Sequence, residues 1–99
     1  MNNGIEIGNG ITLTDVKIWP MRNPEASRVK AMVTITLNDT MQVNGCRIIE
    51  GAKGLFLSFP SEKKQGSDQY FSLFHTIDRR VSDKIQAAVL THFSALERN

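Results

Sequence analysis

A chain of 99 residues and 11.1 kDa has room for one domain. Hydrophobic residues at 40% and charged residues at 22% describe a globular protein and not a disordered one, and the longest apolar runs are strand-sized, which excludes a membrane-spanning helix. A formal charge of +2 and a pI near 8.9 tilt towards an anionic partner but fall short of a strongly basic balance, so any such binding depends on how the cations cluster.

Met1 to Gly10 is rich in Asn and Gly, has little to bury and reads as a flexible N-terminal tail ahead of a single domain over 11–97. It lacks the basic start and apolar core of a secretory signal, so a cytoplasmic location is expected. From Ile11 the pattern changes: Thr14, Val16 and Ile18 alternate with Asp15, Lys17 and Trp19, the period of a strand. Pro20 and Pro24 interrupt it, and Met21 to Ser27 reads as a long exposed hairpin loop.

The second strand is the clearest, with Ala31, Val33, Ile35 and Leu37 on one face and Lys30, Met32, Thr34 and Thr36 on the other. Asn38 and Asp39 supply turn chemistry because both tolerate left-handed backbone angles. Met41 and Val43 resume the apolar face; for Cys46 and Ile48 also to point inward, the phase must slip by one residue near Asn44 and Gly45, as a glycine-assisted bulge allows. After a turn over Gly51 to Gly54, the strand Leu55, Phe56, Leu57 and Phe59 has almost no polar face and is expected to be covered on both sides. A lone helix covers one side, leaving a loop or a second subunit for the other. Glu62 to Asp68 reads as a charged hairpin tip and Tyr70 to Ile77 as a further strand.

The chain then turns helical. Val81, Ile85, Ala88, Val89, His92 and Leu96 form one stripe, with Asp78 as the N-cap. The class is α+β: an antiparallel sheet of about five strands followed by one helix. Catalytic readings find little support. The single cysteine, Cys46, sits in a strand, His75 lies at the end of the last one, and phosphate-binding glycine loops are absent. With one Cys and two His, no spacing suits a metal site. No enzyme activity, cofactor or small-molecule substrate is expected.

Several segments taken together resemble the SpoVG (stage V sporulation protein G) family of bacterial regulators across roughly Ile11 to Leu96. They are Thr14-Asp15-Val16, Ile35-Thr36-Leu37, Arg47-Ile48-Ile49-Glu50-Gly51, Gly54-Leu55-Phe56, Pro60-Ser61, and the helical run Lys84-Ile85-Gln86-Ala87-Ala88-Val89-Leu90. The resemblance implies a small strand-paired homodimer that binds DNA, and in some members RNA, to modulate gene expression. Pairing between subunits then accounts for the doubly apolar strand, placing Leu55, Phe56, Leu57 and Phe59 at the dimer interface. The sequence departs from the family's pattern in a longer, more proline-rich loop over Pro20 to Ser27, in Thr76, and in Asp78-Arg79-Arg80-Val81 at the helix start.

The departures at Thr76 and Asp78 to Val81 lie at the helix start, where the local physics points to an anion. Arg79 and Arg80 occupy the first helical turn and Lys84 the next, the end where the backbone is already partly positive. A phosphate there would gather the free amides and both guanidiniums. The alternative is that these arginines are solvated or pair with Asp83. Lys63 and Lys64 on a hairpin tip, and Arg47 and Lys53 around the Glu50-Gly51 turn, are the other candidate contacts; Arg22, Arg28 and Lys30 form a possible second patch. Trp19, Tyr70 and Phe71 are the candidates for base stacking, although strand aromatics are more often core. The rival function is a dimeric protein-interaction module that adds a partner's strand to its sheet edge and binds no nucleic acid.

Overall fold

The alternation along the first half of the chain builds one antiparallel meander. In the computed structural model, which describes residues 4–97, β1 (Ile5–Gly8), β2 (Ile11–Pro20), β3 (Val29–Leu37), β4 (Met41–Gly51) and β5 (Gly54–Ser58) lie side by side in chain order. Ala31, Val33, Ile35 and Leu37 are buried on one face of β3, as the period of two requires. The expected slip is present: Val33 opposes Cys46 and Ile35 opposes Val43, so Thr34 alone faces Asn44 and Gly45. Gly45 takes φ +87°, which only glycine adopts freely, and Cys46 and Ile48 return to the core face. The Leu37–Thr40 turn uses Asn38 and Asp39 at φ 52° and 53°, and Asn38 Oδ1 accepts from the Thr12 amide at 2.7 Å.

Three expectations need correction. The tail reading fails for Ile5 to Gly10: Ile5 pairs with Leu13 and Glu6 with Thr12, and Ile7 is 1% exposed in the core. The Asn and Gly residues there make a hairpin turn, with Asn9 and Gly10 both at positive φ, and do not signal mobility. Residues 1–3 of the expected tail lie outside the described residues. The strand over Tyr70 to Ile77 shrinks to β7 (Tyr70–Ser72), which pairs only with β6 (Ser61–Lys63) in a separate hairpin, so β1 takes the fifth place in the sheet. Pro60, which has no amide to donate, stands where β5 ends and the hairpin departs. Ile77 is 98% exposed.

Helix α1 (Arg79–Glu97) lies across the apolar face and touches β1, β2 and β5. A sheet that meets its helix at both edge strands must curl around it. The buried line is Val81, Ile85, Val89 and Phe93. Here the third correction falls, since His92 and Leu96 of the expected stripe are exposed, Ala88 is half-buried, and Phe93 fills the core instead. The curled sheet receives the edge of the stripe that advances by four residues, not the edge that advances by seven.

Candidate nucleic-acid interface

At the start of α1, Val81 is packed in the core while the charged side chains of the same turn point outward. Arg79 and Arg80 side chains are 91% and 88% exposed, and Lys84 is exposed one turn on. The tip is not, however, a bare positive end. Asp78 caps it, its Oδ1 accepting from the Arg80 amide at 2.9 Å, and the same carboxylate takes the Arg80 guanidinium through both oxygens, at 3.2 and 2.9 Å. Hydrogen bonds from the Arg80 side chain and amide, with the nearby charges of Arg80 and Lys84, hold the Asp78 carboxyl below its usual range; the same pairing raises Arg80. Arg79 reaches Asp83 at 4.0 Å, the loose i,i+4 contact the residue order anticipated. The anion expected at this helix start is therefore supplied by the chain itself. Both pairs are solvent-exposed, and exposed ion pairs contribute little and exchange readily with other anions.

The remaining candidates do not gather around this tip. Lys63 and Lys64 sit at the β6–β7 hairpin, where Lys63 meets Asp68 at 3.7 Å and the Lys64 amide donates to Gln69 O. Lys53 is at the exposed tip of the two-residue β4–β5 turn. Arg47 lies between Cys46 and Ile48, both fully buried towards α1, so its side chain leaves from the opposite face of the sheet. The sheet itself thus separates Arg47 from Arg79, Arg80 and Lys84. Around the Met21–Ser27 loop, Lys30 pairs with Glu50 at 3.3 Å and Arg28 Nε donates to Glu50 O at 3.0 Å, tying that loop's exit to β4.

The candidate interface strand is β5, an edge of the sheet. Leu57 is buried under α1 and Phe59 is half-buried, its ring 5.3 Å from that of Phe74, while Leu55 and Phe56 are 39% and 40% exposed. Within one chain the strand is therefore covered on one side only. A residue that pattern reading passed over controls its edge: Gln86, on α1, accepts the outward-pointing Leu57 amide through Oε1 at 3.0 Å. An isolated glutamine inside a helical run carries no sequence signal for such a role. Cys46, the notional nucleophile, is sealed in the core, where burial pushes its thiol up to about 11, leaving essentially no thiolate at neutral pH. His75 lines an apolar recess with Ile7, Ile11 and Val81. Among the described residues no helix is long and apolar enough to cross a membrane.

Comparison with known proteins identifies the family. The SpoVG family model matches residues 11–95. A septation protein SpoVG of Lachnoclostridium phytofermentans is 38% identical over 89 residues, covering 88% of this chain and 92% of that protein. Its namesake in Lachnospira eligens is 32% identical, with 88% and 96% covered. A similar protein from Archaeoglobus fulgidus, also named septation protein SpoVG, is 35% identical, with 86% and 96% covered. With nearly the whole domain matched, and with relatives of almost the same length, the chain belongs to the SpoVG family.

Proposed function

We propose that this chain is a non-enzymatic, homodimeric regulator that binds DNA or RNA chiefly through phosphate contacts at the start of α1. The observation that carries the reading is the outward stance of that tip, with Arg79, Arg80 and Lys84 all exposed on the first turns. Asp78 orients the Arg80 guanidinium, Asp83 makes only a loose contact with Arg79, and both cations stay exposed to an incoming phosphate. The exposed Leu55 and Phe56 on an edge strand support pairing with a second copy, which would bring two such tips into one assembly. The septation named for the relatives is a process such a regulator could serve.

Replacing Arg79 and Arg80 together by Ala, and measuring affinity for a labelled duplex across a salt series, tests the reading. The salt slope should fall by about two units and binding should weaken alike for all sequences. Unchanged affinity and slope would remove these residues from the site. A protein-interaction module, the rival, would show no salt-sensitive binding to any DNA or RNA probe.

A further inference from the structure

Among the described residues no element is layered over the face of the sheet turned away from α1, and that face is not uniformly polar. Trp19, Met32, Arg47 and Ser58 are successive cross-strand partners on β2, β3, β4 and β5, so they form one row across this face. Trp19 is 53% exposed and Met32 36%. Lys17 lies two residues from Trp19 on the same strand, roughly 7 Å along it, and Arg47 two strands away, roughly 10 Å across. Thr34, next to Met32 on β3, donates to Asn44 Oδ1 at 3.0 Å and is nearly buried beneath its neighbours, which keeps the middle of the face low. At the corner, Phe56 lies against Gly51, where even a Cβ would come within 3.0 Å of the ring.

We infer that this face, with Trp19 as the stacking platform and Lys17 and Arg47 as phosphate contacts, is a site for single-stranded nucleic acid. An exposed indole near the end of β2 offers a base its π-face, and every base can use it whatever the sequence. Lys17, along the strand from the indole, and Arg47, two strands across from it, are cations within reach of the backbone of a strand stacked there. The face positions on β2 to β5 carry one carboxylate, Asp15, so the surface favours a polyanion, and a second copy laid face to face would set these cations against their own kind. A duplex keeps its bases inside its stack and cannot use the indole. The inference rests on the nucleic-acid reading above and names the strandedness of its ligand.

Trp19 is the one tryptophan of the chain, so its fluorescence reports on this face alone. Oligo(U) and oligo(dT), each titrated at low salt beside a duplex of equal length, are the probes. Both single strands should quench the emission. Trp19→Ala should weaken their binding roughly 5- to 150-fold, Trp19→Phe should keep most of it, and duplex affinity should not change. Arg47→Ala should lower the salt slope for the single strands by about one unit. Quenching by oligo(U) alone would assign the site to RNA, and by both strands to single strands in general. If the single strands bind without quenching, and Trp19→Ala binds them as the parent does, the sheet face is not the site although the regulator reading survives. If no probe binds at low salt, the regulator reading fails and takes this one with it. Thermal melts of the variants, whose changed side chains stand on the surface, verify that the fold persists.

Discussion

Replacing Gln86 by Leu removes the acceptor for the Leu57 amide while keeping a side chain of similar size on α1. Leu57 is 7% exposed and its amide donates to Gln86 Oε1 at 3.0 Å, so the change leaves a largely desolvated N–H without a partner. Stranding such a donor costs about 1–3 kcal/mol, because the lost hydrogen bond is not replaced by water. In a domain of this size that corresponds to a melting point lower by about 4–8 °C per kcal/mol. Gln86→Glu keeps an acceptor at the same position and should recover most of the loss. Hydrogen exchange followed amide by amide is the direct assay: the Leu57 N–H should lose protection by roughly 5- to 150-fold in Gln86→Leu, with β3 amides changing only as far as global stability does. Unchanged protection at Leu57 in Gln86→Leu would refute the edge-capping role. The same variant frees the β5 edge, so on the proposed homodimer reading strand pairing between copies should strengthen as the monomer weakens.

Further outcomes follow from the core. Phe93→Ala should destabilise by about 3–5 kcal/mol in chemical denaturation, whereas His92→Ala should stay within about 0.5 kcal/mol, since Phe93 is 4% exposed and His92 lies on the surface. Gly45→Ala meets only an ordinary contact with Pro60, at 3.7 Å, so its penalty is the backbone term for φ +87°, about 1–2 kcal/mol by the denaturation midpoint. The Cys46 thiol is raised in the folded state from 9.0 to about 11, so the folded chain holds this proton after the unfolded chain has lost it. Stability should therefore be whole below pH 9 and decline as pH rises towards 11, and Cys46→Ala should flatten that part of a denaturation-versus-pH curve.

Where one face of a strand is buried, the sequence was transparent. Ala31 to Leu37 and the slip at Gly45 could be read because a single face dictates every second residue. β1 was hidden because four residues with one buried Ile resemble a tail in composition, and because the likeness to the family begins only at Ile11. Phe93 and His92 are adjacent on the helix, and choosing between them requires the curl of the sheet, a property of all five strands together. For the candidate site, exposure of the α1 tip was legible from its charges and Asp78 was legible as a cap. That one carboxylate would serve both the amide and the guanidinium of Arg80 depends on geometry. That Arg47 would be divided from Arg79 by the sheet depends on pairing order, which no local pattern encodes.

The contact of α1 with both β1 and β5 bears on how the protein is made. On the ribosome the meander emerges first, strand by neighbouring strand, and can form from contacts close in sequence. Its oily side then waits without a lid until Val81 to Phe93 have left the exit tunnel, and only then can Ile7 be sealed in. The nascent chain is most vulnerable to sticking during that interval, and a stall just before α1 would hand chaperones an open half-shell.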